Sequence, residues 1–248
     1  MAVIGGGQNC EHDMSLASAA SVRSALDPAR YEAVALTILS DGRWQGPDHE
    51  PLGGSMADSL AAALRVLVTC DVVMPLVHGP QGEDGTLAGL CELAGIPYVG
   101  SPVRAGALAM DKWATKLVAE AVGVRTAPGR LVTEGDIPTV TFDGPVVVKP
   151  VAAGSSFGVR LVTTKGDFEP ALWAALALDD RVLVEQVVVG REIGVAVLDD
   201  LDGWRRVGPP LEVLVDDGLF DTRIKYNGKA RFVIPAYLTD VEQKALTA

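Results

Sequence analysis

Between residues 2 and 99 short apolar runs at 2–4, 33–39, 71–77 and 97–99 alternate with stretches of helical spacing at 15–26, 56–66 and 85–94. This alternation constrains the fold more than any other feature of the chain. Strands that alternate with helices at this spacing form a parallel sheet covered by the helices. In such a sheet, functional loops gather at the carboxyl ends of the strands. The loops 5–13 and 78–86 both lie at such ends and are the first candidates for a site.

From about residue 106 the pattern changes. A helix is expected over 112–122, and Pro128, Pro138 and Pro145 punctuate the stretch that follows. A strand at 146–149 runs into a glycine- and serine-rich loop at 154–158 and a returning strand at 159–163. Next come a helix at 168–178, a strand at 182–186, strands at 192–198, 204–207, 211–215 and 231–234, and a loop at 216–229. The chain stops soon after Thr239 starts a new helix as its N-cap. The expected division is 1–105, 106–190 and 191–248.

Composition narrows the function classes. A formal charge of −11 repels nucleic acid phosphates, so no nucleic acid partner is expected. No run approaches the ~20 apolar residues of a membrane span, and no signal segment opens the chain, so no membrane partner and a cytoplasmic location are expected. Cys10, Cys70 and Cys91 are too scattered for a disulfide framework or a zinc site.

The loops carry the chemistry. Gly5-Gly6-Gly7 lacks the third glycine of a dinucleotide fingerprint, because position 10 is cysteine, and by itself reads as a tight turn. Beyond it, Glu11-His12-Asp13 places a carboxylate where a substrate ammonium could pair, with helix capping by Asp13 as the plain alternative. His78-Gly79-Pro80-Gln81-Gly82-Glu83-Asp84-Gly85-Thr86 follows a buried strand and reads either as a site or as a solvated glycine turn with Asp84 capping the next helix. Val146-Val147-Val148-Lys149-Pro150 ends a buried strand in a lysine that needs an anionic partner. Gly154-Ser155-Ser156-Phe157-Gly158 offers backbone donors and hydroxyls suited to phosphates. Lys112 opens a helix, and Glu185 and Glu192 lie seven residues apart around a turn, placed to accept from an adenine amino group and a ribose hydroxyl. Each residue has a plain structural explanation, but their conjunction describes a nucleotide site without a P-loop.

Taken in order, Gly5-Gly6-Gly7…Glu11-His12…Ser15-Leu16, His78-Gly79…Gly82-Glu83-Asp84-Gly85-Thr86, Tyr98-Val99-Gly100-Ser101, Met110-Asp111-Lys112, Lys149-Pro150…Gly154-Ser155-Ser156…Gly158-Val159, Glu185…Gly190-Arg191-Glu192 and Lys225-Tyr226 resemble the D-alanine–D-alanine ligases of the ATP-grasp superfamily. The resemblance implies an α/β protein: an N-terminal parallel-sheet, Rossmann-like domain followed by ATP-grasp mixed α/β domains, the last one incomplete. It also implies ATP and D-alanine as ligands and ligation through an acyl phosphate, for peptidoglycan precursor synthesis. Catalysis of this kind rests on alignment and charge neutralisation. By motif match, Lys112 and Lys149 would hold ATP phosphates, and Glu185, Val188 and Glu192 would bind adenine and ribose. Glu11 would hold the first substrate's ammonium, with His78 near its carboxylate. Ser155 and Tyr226 would join Glu11 in closing the loop, and Lys225 would support the phosphate region. Relatives of this kind are commonly homodimers, which the residues themselves do not decide.

Two departures accompany the resemblance. The family's acidic magnesium-binding segment, an Asp followed by Glu-x-Asn, has no counterpart after Phe232, where Asp240 and Glu242 fall in the expected helix. Its Mg2+ ligands are therefore expected in a segment beyond these residues, and the 248-residue chain is expected to be an inactive fragment. Ala152-Ala153 also lacks the charge often found before the serine loop. An ATP-grasp ligase with another amino or hydroxy acid acceptor, or a noncatalytic nucleotide-binding module, fits the same motifs. If Tyr226 closes the loop over substrate, Tyr226→Phe impairs turnover while nearly preserving ATP affinity, because such lids tighten only on closure. Equal loss of both, in parallel rate and nucleotide-binding measurements, would make Tyr226 structural.

Overall fold

The computed structural model describes residues 1–200, 202–215 and 231–247. Two compact units are present, Met1–Glu185 and Gln186–Ala248. Among the described residues, no helix is long and apolar enough to cross a membrane.

The first unit opens with β1 (Ala2–Gly6), α1 (His12–Ala25), β2 (Val34–Ile38), β3 (Trp44–Gln45), α2 (Met56–Leu67), β4 (Val73–Pro75) and α3 (Thr86–Ala94). Their strands form one sheet in the order β3-β2-β1-β4. Strand β1 is central and parallel to both β2 and β4, with Ile4 opposite Leu36 and Pro75. The expected parallel sheet is therefore present. Every residue of β1 is buried, and Ile4, Leu36, Leu67 and Val73 lie in one apolar core with Leu87 and Cys91. Being covered on both faces, the central strand reads as a continuous apolar run rather than an alternating one.

Boundaries differ from the sequence expectation in informative places. Helix α1 begins at His12, so Asp13 sits inside the first turn and is not the cap. Glu11 holds the N-cap position, yet its side chain accepts no capping hydrogen bond. The strand expected at 97–99 is reduced to a single parallel bridge, Val73 with Tyr98. The short strand β3 was not anticipated, because two residues carry no periodicity.

Helices α4 (Val103–Met110) and α5 (Lys112–Ala121) lead into a second sheet built from β5 (Gly129–Thr133), β6 (Val146–Pro150), β7 (Arg160–Val162) and β8 (Arg181–Gln186), with α6 (Lys165–Leu176) between the last two. The strand order is β5-β8-β6-β7, with β5 antiparallel to β8 and β6 antiparallel to β7. Strand β5 falls between Pro128 and Pro138, where the prolines conceal it in the sequence. Val132, Val148, Val162, Val182 and Val184 from the sheet pack with Phe168, Leu172 and Ala175 of α6. β-Branched side chains suit this pleated, one-side-covered surface.

The second unit contains β9 (Glu192–Gly194), β10 (Val197–Asp199), β11 (Arg205–Val207), β12 (Leu211–Leu214), β13 (Arg231–Val233) and α7 (Asp240–Thr247). Strands β13, β12 and β9 form an antiparallel sheet, and β10 pairs antiparallel with β11. The single strand expected at 192–198 is thus divided between two sheets. Leu172 is fully buried under the second sheet, so Leu172→Ala leaves a cavity there. The expected loss is ~2–5 kcal/mol of unfolding free energy, read by denaturant titration.

Candidate active site

Glu11 ends the loop after β1, with its side chain 1% exposed. One carboxylate oxygen, Oε1, accepts a hydrogen bond from the Ser155 hydroxyl, 144 positions away in sequence. The other, Oε2, is buried with no hydrogen-bond partner. Two glycines make room for it. A Cβ on Gly79 would lie 2.3 Å from Oε2, and one on Gly154 would lie 2.4 Å away. Gly79 also has a left-handed backbone, φ +70°, that disfavours any other residue. A buried carboxylate oxygen lacking a donor is unfavourable, and the natural complement is a ligand cation.

The neighbouring loops are stitched together by polar contacts. Asn9 Nδ2 donates to the carbonyls of His78 (2.9 Å) and Pro80 (2.8 Å), while its Oδ1 accepts from Glu11 N–H (2.8 Å). His78 N–H donates to Ser15 Oγ (2.9 Å), and His78 Nε2 lies 2.8 Å from Ser18 Oγ. The loop after β4 is internally fixed, with Glu83 accepting from Gly79 N–H and Asp84 from Gln81 and Thr86 N–H. Asp84 therefore fixes the turn but is not the helix cap, because the N-cap of α3 is Gly85 and no side chain caps it. Asn9 was not singled out there, because an isolated asparagine in a loop carries no spacing signal.

The strongest charge cluster lies in the second sheet. Glu185, near the end of β8, accepts from Lys116 Nζ through Oε1 at 2.7 Å and from Lys149 Nζ through Oε2. Lys116 and Glu185 are both buried, at 8% and 7% exposure. Lys116 Nζ also donates to Thr126 Oγ1 (3.0 Å) and to the Ala127 carbonyl, and Thr126 donates to Glu120 (2.7 Å). Gly129, paired with Glu185 across β5 and β8, leaves room for this carboxylate: a Cβ there would stand 2.8 Å from Glu185 Cγ. The partner that Lys149 required is Glu185. Lys116 was missed in the sequence, although it lies one helical turn beyond Lys112, the spacing at which two residues share a helix face.

Lys112 is placed differently. Its Nζ donates to the carbonyls of Val151 (3.1 Å) and Ala153 (2.5 Å), at the foot of the 154–158 loop. Asp111 caps α5 by accepting Ala114 N–H (2.8 Å) and receives Arg181 Nη2 (2.9 Å). Burial works against the Asp111 charge but is outweighed by the Ala114 hydrogen bond and the Arg181 guanidinium, which hold its carboxyl below the ordinary aspartate range. Within the loop, Ser155 and Ser156 both adopt left-handed backbone, φ +47° and +60°. Such φ values are strained in residues other than glycine and tend to mark functional segments.

The remaining candidates belong to the second unit. Val188 and Glu192 are exposed, Glu192 at the start of β9. Beside it, Arg191 makes a two-pronged contact with Glu212, at 2.7 Å to each oxygen, and also reaches the Tyr237 carbonyl and Glu242. The Arg191 hydrogen bonds hold the Glu212 carboxyl below its usual range. Glu242 is further held by Thr239 N–H and Oγ1. Among the described residues, no group of three or more His, Cys, Asp or Glu side chains could hold a metal ion. Lys225 and Tyr226 lie outside the described residues.

Comparison of the chain with known proteins points to one family. Residues 1–101 match the family described as "D-ala D-ala ligase N-terminus", and residues 136–248 match "D-ala D-ala ligase C-terminus". The D-alanine–D-alanine ligase of Corynebacterium aurimucosum is 36% identical, over 100% of this chain and 80% of its own length. Among solved structures, D-alanyl-alanine synthetase A from Vibrio cholerae superposes with a TM-score of 0.78 at 26% identity, covering 99% of this chain and 77% of that one. VanG D-Ala:D-Ser ligase from Enterococcus faecalis gives 0.72 at 28% identity, covering 99% and 80%.

The Lys116–Glu185–Lys149 contact yields a direct stability test. Glu185→Leu leaves two ammonium groups facing each other without a counter-charge, one of them buried. Removing one partner of a buried ion pair costs ~3–5 kcal/mol, so denaturant titration should find a loss of that order.

Proposed function

Because this chain belongs to the D-alanine–D-alanine ligase family, we propose that it serves the ATP-dependent joining of two D-alanines into D-alanyl-D-alanine, a cytoplasmic step of peptidoglycan precursor synthesis. The observation that carries this proposal is the buried, unpartnered Oε2 of Glu11 beneath the Ser155 hydroxyl. An ammonium group satisfies that oxygen, and a ligand held there lies against a loop suited to phosphates.

The reaction follows from placing a zwitterion at this point. Glu11 takes the ammonium of the first D-alanine and keeps that nitrogen protonated and non-nucleophilic. His78, tied to Ser18, stands on the adjoining loop on the side proposed for the substrate carboxylate. That carboxylate attacks the γ-phosphorus of ATP, forming an acyl phosphate as the bond to ADP breaks. The uncharged amine of the second D-alanine then attacks the acyl carbon. Phosphate leaves from the tetrahedral adduct and the nitrogen loses its proton. Positioned charge, more than covalent participation, lowers both barriers.

On the nucleotide side, Lys149 is proposed to exchange its contact with Glu185 for phosphate oxygens, since its ammonium is the more exposed of the two lysines on that carboxylate. Lys116 stays on Glu185, whose carboxylate is proposed as an acceptor for adenine. The motif match alone assigns adenine and ribose contacts to Val188 and Glu192, and phosphate and closure contacts to Lys225 and Tyr226. The family's chemistry uses ATP and Mg2+. Among the described residues no group of acids could hold that ion, and Glu242 is held by Arg191 and Thr239.

D-alanine-dependent ADP release in a version that also carries the family's magnesium-binding segment, together with calorimetric titration of ATP and D-alanine on the 248-residue chain, tests the proposal. Glu11→Gln should weaken D-alanine binding at least ~10-fold and leave ATP binding unchanged, as expected for losing a charged hydrogen-bond partner. Lys149→Ala should cost ~2–4 kcal/mol of transition-state stabilisation, the scale of one electrostatic donor. Turnover with D-serine or D-lactate in preference to D-alanine would move the chain to a related acceptor class. ATP binding without any D-alanine binding would leave only a nucleotide-binding module.

A further inference from the structure

The foot of the 154–158 loop is held by an arrangement that the ligase chemistry does not require. Residues 151–153 connect β6 to the loop, and four of their six polar backbone groups are engaged. Val151 N–H donates to the Arg181 carbonyl (3.1 Å), and Ala152 N–H donates to the Asp179 carboxylate (2.5 Å). The Val151 carbonyl accepts both the backbone N–H (3.2 Å) and the Nζ (3.1 Å) of Lys112, and the Ala153 carbonyl accepts the same Nζ (2.5 Å). The circuit closes on itself. Arg181 returns to Asp111, which caps the helix that Lys112 begins, and Asp179 Oδ1 accepts Arg181 N–H.

Two charged side chains thus grip a three-residue peptide from opposite sides, one through its carbonyls and one through an N–H. Hydrogen bonds with an ionised partner are the stronger kind. Immediately beyond the grip, Ser155 and Ser156 hold left-handed φ values that local preference does not favour. The loop's conformation therefore depends on where its foot is fixed, and so does the meeting of Ser155 with Glu11.

We propose that Lys112 and Asp179 are positioning residues that clamp residues 151–153, so that the serine loop descends onto Glu11. The consequence for catalysis rests on the proposed ligase reaction, whereas the clamp itself is a property of the chain without ligand.

Backbone hydrogen exchange of residues 152–158, followed by mass spectrometry on the nucleotide-free 248-residue protein, tests the clamp. Lys112→Met and Asp179→Ala should each accelerate exchange there by about tenfold, as expected for losing a charged hydrogen bond that opposes local opening. Asp179→Asn keeps an acceptor oxygen and should stay within about threefold of the parent. Lys165→Met, at an exposed lysine that begins α6, should leave the loop unchanged. Unchanged exchange in Lys112→Met, accompanied by a loss of ATP affinity greater than about tenfold, would overturn the proposal and make Lys112 a phosphate ligand. Acceleration spread evenly over the whole chain would also overturn it. If Lys116→Met and Lys149→Met both bind ATP normally, the nucleotide-site reading fails, and the loop exchange still decides the clamp.

Discussion

The second sheet is organised around one buried carboxylate. Glu185 stands between Lys116 on α5 and Lys149 at the end of β6, so a helix and two strands meet through it. Removing a carboxylate and an ammonium from water costs several kcal/mol per ion, and only close pairing with further hydrogen bonds offsets this. Here the Thr126 hydroxyl and the Ala127 carbonyl complete the coordination of Lys116, and Gly129 yields the space the carboxylate occupies. An apolar trio of similar volume would pack as well. What it would lack is a pair of cations and an acceptor aligned along one wall.

Glu11 follows the opposite logic. Its Oε2 is buried without a donor, two glycines press against it, and the loop that covers it carries two serines with left-handed backbone. None of these features favours the folded chain by itself. Binding sites are where unfavourable features of this kind collect, because the ligand supplies the missing partner. The surrounding polar stitching, from Asn9 to the His78 loop and from Ser15 and Ser18 to His78, keeps the site rigid while one oxygen stays unmatched.

Part of this site was legible in the sequence. Lys149 was, because a lysine closing a run of valines must find an anion, and Glu185 was, because it ends the next apolar strand. The serine loop and the loop beginning at His78 were marked by glycines at strand ends. Lys116 was not, since a lysine in the middle of an amphipathic helix reads as an exposed residue. Nor was the role of Glu11 as an N-cap whose side chain ignores its own helix. The proline-flanked β5 was hidden for a related reason: its pairing with β8 is non-local, and its own residues carry little pattern.

The sequence by itself determined the parallel sheet, the order of the loops and the family those loops belong to, because strand and helix periodicities and glycine spacing act over a few residues. Tertiary structure decided which charges meet. Lys112 and Lys116 lie one turn apart on α5, yet the first grips the carbonyls at the foot of the serine loop and the second enters the Glu185 cluster. The docking of α5 against the second sheet sets that division. Electrostatic pairing acts through space over a few ångströms, and sequence separations of 69 and 144 residues carry no trace of it.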